Sequence, residues 1–202
     1  MTVSSHITYA VPMARWEPNA RERLVRAALD LFTEQGYDIT TVNGIAERAG
    51  LTKTTFFRHF PDKREVFFGG QETHNRLMAE AIAASPGSAT PLQAVAAALD
   101  ALTATFTDDR REFAARLLTV IADNSELQER AAFKRTCLAG AMTDALRKRG
   151  VPDPTASLAA ELGIRAFDDA FAHWADPTNQ QTLTDLARHA LHELRAATIT
   201  LG

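Results

Sequence analysis

The stretch Ile45 to Phe60 reads IAERAGLTKTTFFRHF, and its second half gathers side chains suited to contact with a polyanion. Thr52 stands where it can cap a helix and offer its hydroxyl or backbone N–H to a phosphate, because a helix N-terminus carries unpaired donors and the positive pole of the dipole. Lys53, Thr54 and Thr55 fall in the first turn. Side chains there reach base edges when such a helix enters a major groove end-first: lysine addresses guanine, and a threonine methyl touches thymine. Arg58, His59 and Lys63 lie further along and suit phosphates, which set register without specifying sequence. Charge is segregated accordingly. The chain carries −3 overall, yet Arg48 to Arg64 holds five cations (Arg48, Lys53, Arg58, Lys63, Arg64) against the acid Asp62, a local +4 that leaves −7 elsewhere. A local basic patch can neutralise phosphates on an acidic protein. The plainer readings of the same residues are a solvated surface and a helical hairpin that binds nothing.

To present those groups, two short helices must cross steeply around a tight turn. Ala46 and Ala49 are small where the second helix would cross the first, and Gly50 tolerates the positive φ of the turn. Ile45, Leu51, Phe56 and Phe60 can close a small core. Before this unit, Asn19 with Glu22 resembles a capping box. Leu24, Ala27, Ala28, Leu31 and Phe32 then repeat at helical spacing, and Gly36 marks the stop. Thr41 would cap a helix over Val42 to Ala49, and a third helix would run from Thr52 to about Phe57. Pro61 breaks it, and Asp62 with Glu65 would open a long fourth helix toward Ala84. The pair Gly69-Gly70 is the oddest feature of that helix, costing about 1 kcal/mol per glycine relative to alanine.

The remainder also reads as helix. SPGSAT (Ser85 to Thr90) is a loop. Thr90 can cap, Pro91 suits a first helical position, and Leu92, Val95, Leu99, Leu102 and Phe106 line one face. Asp108 and Asp109 suit the start of a helix carrying Phe113, Leu117, Val120 and Ile121. Ser125 and Gln128 would box the next, which ends at Arg147, Lys148, Arg149 and Gly150 with cations at its negative pole. Asp153 and Pro154 open another, which Asp176 and Pro177 stop. Thr178 and Gln181 would open the last. The expectation is an all-α protein of about nine helices: a disordered arm over 1–17, a helix-turn-helix domain over 18–66, and a helical domain over 67–202.

Other chemistries find little support. There is no G-x-S-x-G, H-E-x-x-H, P-loop or dinucleotide fingerprint, and the reading is not an enzyme. Cys137 is the only cysteine, so no intrachain disulfide forms and no cysteine-rich zinc site exists. As a redox switch it would need Lys134 and Arg135 to lower its pKa; an inert small hydrophobe is the simpler reading. His189, His192 and Glu193 share a helix but lack a third-ligand partner elsewhere. No metal or cofactor is expected. No signal-like or spanning apolar run appears, which suggests a soluble cytoplasmic protein.

Thr40-Thr41-Val42, Ile45-Ala46, Ala49-Gly50-Leu51-Thr52, Phe56-Phe57, His59-Phe60 and Lys63 together resemble the N-terminal DNA-binding domain of the tetracycline-repressor (TetR) family, over about Leu24 to Phe67. The resemblance implies a homodimer on a roughly palindromic operator in double-stranded DNA, usually a repressor released by a small-molecule effector. It implies phosphate contacts from Thr41, Thr52, His59 and Lys63, and groove contacts from Lys53, Thr54 and Thr55. Phe57 departs from the pattern, where the family usually has a tyrosine whose hydroxyl meets a phosphate. The resemblance also implies a C-terminal ligand pocket and a dimer seam on the last two helices. Pocket candidates are Phe106, Phe113, Arg116 (as a charged anchor), Leu117, Ile121, Phe133, Cys137, Met142 and Phe167, for an apolar or amphipathic ligand. Seam candidates are Leu158, Leu162, Ala166, Phe171, Trp174, Leu183, Leu186, Ala190 and Leu194. For both sets ordinary core packing is the competing reading.

Overall fold

The computed structural model describes residues 19–200, and the arm over 1–17 lies outside them. Regular structure in the described residues is all helical: α1 (Ala20–Gln35), α2 (Val42–Arg48), α3 (Lys53–His59), α4 (Gln71–Ala84), α5 (Pro91–Thr103), α6 (Arg111–Ala122), α7 (Ser125–Lys148), α8 (Asp153–Ala175) and α9 (Leu183–Thr200). Single 3-10 turns at Arg64–Val66 and Asp108–Arg110 precede α4 and α6. This is the all-α, nine-helix architecture expected.

The head consists of α1 to α3. Its first helix buries Leu24, Ala27, Ala28, Leu31 and Phe32, and Gly36 at φ +89° closes it by donating its N–H to the Phe32 carbonyl. The next two helices are seven residues each, too short to persist alone. Tertiary burial holds them. Ile45, Phe56 and Phe60 are essentially inaccessible, and burying each phenylalanine stabilises by roughly 1.5–3 kcal/mol. The turn between them has Gly50 at φ +65° and a hydrogen bond of 2.8 Å from the Leu51 N–H to the Ala46 carbonyl.

In the body α5 is the central rod. Thr90 and Gln93 form a reciprocal capping box at its start, and Ala94, Val95, Ala98, Leu99 and Leu102 are buried among α4, α7, α8 and α9. Gly163 lets α8 press onto it: a Cβ there would sit 2.5 Å from Val95 Cγ1. Packing does not stop at position 66. Val120 of α6 and Leu127 of α7 belong to the head's own core.

Several local expectations are corrected. Asn19 adopts φ +80°, and its side chain caps nothing; left-handed backbone aims it away from the N–H groups it would serve. The third helix continues to His59. Asp62 accepts hydrogen bonds from the Arg64 and Glu65 N–H groups at 2.8 and 3.1 Å but opens only one 3-10 turn, because Glu65 turns to Arg130 instead of completing a box. Gly69 and Gly70 therefore lie in the bend before α4, not within a long helix. The cap of α7 is Asn124, which accepts from Leu127 N–H at 3.1 Å, not Ser125. Thr182 accepts from Asp185 N–H at 3.1 Å beside the start of α9, whereas Thr178 is held by Asp176.

Candidate nucleic-acid interface

The N-termini of α2 and α3 are both capped by threonine. Thr41 Oγ1 accepts from Gly44 N–H at 3.0 Å. Thr52 Oγ1 accepts from Thr55 N–H at 3.1 Å and lies 3.0 Å from the Thr55 hydroxyl. With Phe56 and Phe60 turned into the core, the outer side of α3 displays Thr52, Lys53, Thr54, Phe57, Arg58 and His59, with Thr55 half-buried. Phe57 does not turn inward. It is 48% exposed, edge-on to Phe56, and Lys53 Nζ lies 6.0 Å from its ring centroid.

The five cations of this stretch are not equivalent. Arg48 is held by both carboxylate oxygens of Glu34, at 2.9 and 2.7 Å, which keeps that acid's pKa below the ordinary range. Arg64 pairs with Asp62 at 3.0 Å. Lys63 donates to the carbonyls of Tyr37 and Thr40 at 2.7 and 3.1 Å and sits 3.8 Å from the centroid of the Tyr37 ring. Burial pushes its pKa down. Two of its three ammonium protons tie the α1–α2 loop, so at most one remains for a phosphate. Among the described residues, Lys53 and Arg58 have no acid within ion-pair range. Sequence reading missed another support: Arg23 Nη2 donates to the Ala49 carbonyl at 2.5 Å and braces the end of α2.

Beneath the head lies a cavity of about 420 Å³. Phe106, Phe113, Leu117, Ile121 and Phe167 of the pocket set line it, and Phe67, Phe171 and Trp174 complete its aromatic wall. The other pocket candidates are elsewhere. Arg116 reaches out to Asp30 of α1 at 2.7 Å. Phe133 is 56% exposed on α7, under the Arg130 guanidinium. Met142 is fully buried against Gly163, and Cys137 is half-buried outside the lining. The seam set divides similarly. Ala166, Trp174, Leu183 and Leu186 are buried within their own chain; Leu162, Phe171, Ala190 and Leu194 are half-buried, and Leu158 is 57% exposed. Helical periodicity finds an apolar face without saying which neighbour covers it, which is why Phe171 and Trp174 read as seam and stand at the cavity.

Polar ties between head and body also escaped the sequence. Tyr37 Oη donates to Glu126 at 3.0 Å; burial, then that carboxylate, pushes the phenol pKa up. Arg130 Nη2 donates to Glu65 at 3.0 Å, and Lys134 Nζ to the Phe68 carbonyl at 3.1 Å. Their partners lie 65 to 89 residues away, with no local pattern to announce them. Among the described residues no group of three His, Cys, Asp or Glu side chains gathers as a metal site, and no helix is long and apolar enough to cross a membrane.

A capped helix-turn-helix head on an all-helical body defines the architecture. Residues 24–69 match the family model of bacterial regulatory proteins, tetR family. The chain is 40% identical over 82 residues to the HTH-type transcriptional regulator TcmR of Streptomyces glaucescens, an alignment spanning 41% of this chain and 36% of that protein's length. The fold resembles that of the regulator FadR from Bacillus subtilis in complex with stearoyl-CoA (19% identity, TM-score 0.57, 86% of this chain and 96% of that one). It also resembles NalD, the secondary repressor of the MexAB-OprM multidrug efflux pump in Pseudomonas aeruginosa (22% identity, TM-score 0.56, 88% and 94%).

Proposed function

We propose that this chain is a non-enzymatic cytoplasmic regulator that binds a roughly palindromic operator as a homodimer, represses from it, and is released by a small apolar or amphipathic ligand. The observation that carries the reading is α3: a threonine-capped helix with Lys53 and Thr54 exposed and Thr55 half-buried at its N-terminal end, and an aromatic underside locked in the core. Thr41 and Thr52, the caps of α2 and α3, and Arg58 and His59 in the last turn of α3 are the phosphate contacts, with Lys63 mainly bracing the α1–α2 loop. Phe57 packs against the sugar backbone in place of a hydroxyl contact. The cavity under the head is where the ligand sits, and the outer face of α8 and α9 around Leu158 meets the partner. The neighbours named as a repressor and as an acyl-CoA complex support this reading by analogy of fold alone.

Selecting bound duplexes from a random DNA pool tests it. The expected product is an inverted repeat with half-sites about one helical turn, roughly 34 Å, apart. A salt-insensitive, sequence-indifferent result would favour instead a helical protein-interaction module, the reading that the exposed Phe57 ring suggests. Sedimentation of wild type and Leu158→Glu tests the seam, with a shift toward monomer expected of the variant.

A further inference from the structure

The cavity under the head has two unlike walls. One is aromatic: Phe106 lies 5.5 Å from Phe171 and 6.2 Å from Trp174, and Phe167 stacks on Phe171 at 5.7 Å. These are the spacings of rings in mutual edge-on or stacked contact, so the four form one continuous aromatic surface against which a further flat ring can pack. The other wall carries charge, with Arg21, Arg110, Lys134 and Arg135 against Asp168 as the only acid. Arg135 stands 3.6 Å from Asp168, so those two largely cancel. His74 is half-buried there, and partial burial, then Lys134, disfavour its cationic form.

Lys134 is the unbalanced group. Its ammonium has a carbonyl as its hydrogen-bond partner, that of Phe68, and Glu65, the acid whose charge it feels, is engaged by Arg130. Burial first, then Arg130 and Arg21, push its pKa down to about 8. A half-buried cation with no carboxylate paired to it is incompletely compensated, and an anion brought beside it relieves the cost. The carbonyl it holds is well placed to report the change. Phe68 is buried with the head's core, and the next two residues, Gly69 and Gly70, form the bend into α4, with Gly70 at φ +88°.

We propose that the cavity takes a planar aromatic molecule bearing one acidic group, its ring among Phe106, Phe167, Phe171 and Trp174 and its anion on Lys134, and that seating it draws the ammonium off the Phe68 carbonyl and frees the bend between head and body. This rests on reading the cavity as the sensor. It names the ligand's chemistry and the bond through which the ligand acts. A volume of about 420 Å³ lies in the range of small-molecule sites.

Calorimetry on the full chain without DNA tests it with three probes: 2-naphthoate, the neutral 2-naphthalenemethanol, and stearoyl-CoA. Wild type should bind the naphthoate at least about tenfold more tightly than the alcohol. Lys134→Met should erase that preference and leave the alcohol's affinity within about twofold, while Lys134→Arg should keep it. Amide hydrogen exchange at Phe68 to Gln71 should quicken with the naphthoate and not with the alcohol. Equal affinities in wild type, a preference that survives in Lys134→Met, or tight stearoyl-CoA binding with neither naphthalene bound would overturn the proposal. Should Lys134→Met fail to fold, the wild-type preference and the exchange of Phe68 to Gln71 decide it. Because no DNA is present, failure here leaves operator binding standing, and failed operator binding leaves these affinities unchanged.

Discussion

Lys53 and Lys63 share a charge and a neighbourhood but not a task. Lys53 is exposed on the outer side of α3 with a ring as its nearest support, so truncation removes little from the fold. Lys53→Ala should cost about 1–3 kcal/mol in operator affinity and relax selectivity at one base position, leaving the melting temperature near wild type. Lys63→Ala removes two bonds to backbone carbonyls. It should lower the melting temperature and weaken binding evenly across sequences. Titration against an operator and scrambled DNA, paired with thermal melts, separates the two; matched profiles from both would remove base reading from Lys53. Lys134 gives a pH signature. Its folded pKa, about 8, is below the ordinary lysine value of 10.5, so between those limits the unfolded chain binds more protons. Stability contributed through this group therefore rises with pH across that window and is lost as pH falls through about 8. Denaturant unfolding of wild type against Lys134→Met should show the variant's relative advantage shrinking from pH 7.5 to about 10.

At the scale of elements, what was legible in the sequence follows from distance along the chain. The caps Thr41, Thr52 and Thr90 act on N–H groups three residues on, so type and spacing reveal them. Asn124 was missed in favour of the adjoining Ser125, and Thr182 in favour of Thr178 four residues earlier, because within a run of short polar residues the backbone decides which one caps. The aromatic wall was half legible: periodicity marks Phe106, Phe113 and Phe167 as inward-facing, but cannot assign Phe171 and Trp174 to cavity rather than seam. The Gly69-Gly70 bend was read as a weakness inside a helix, since nothing local shows that Glu65 leaves its box for Arg130. The corrected placement makes the two glycines unequal. Alanine at Gly70 must adopt φ +88°, at about 1–2 kcal/mol. Alanine at Gly69 meets only the flexible end of Arg21. Melting should therefore show Gly70→Ala to be the more damaging; equal losses would mean that Arg21 cannot swing aside.

Across the whole molecule, head and body share one hydrophobic cluster through Val120 and Leu127, reinforced by Tyr37–Glu126, Arg130–Glu65, Arg116–Asp30 and Lys134–Phe68. Glu65→Gln weakens the Arg130 tie, and both partners are only about a fifth exposed. A loss of about 1–3 kcal/mol is expected, with amide exchange rising in α1 to α3 before it rises in α5 and α8; a uniform rise would mean that the tie does not set their coupling. Gly163, where α8 lies on α5, touches neither the groove side of α3 nor the wall of the cavity. Yet any larger side chain there would collide with Val95 and shift the frame on which both halves are mounted. In a genetic screen for escaped regulation, position 163 should therefore yield loss-of-function alleles as often as Lys53 does, and a map drawn from phenotypes alone would place a binding site where there is only a bearing surface.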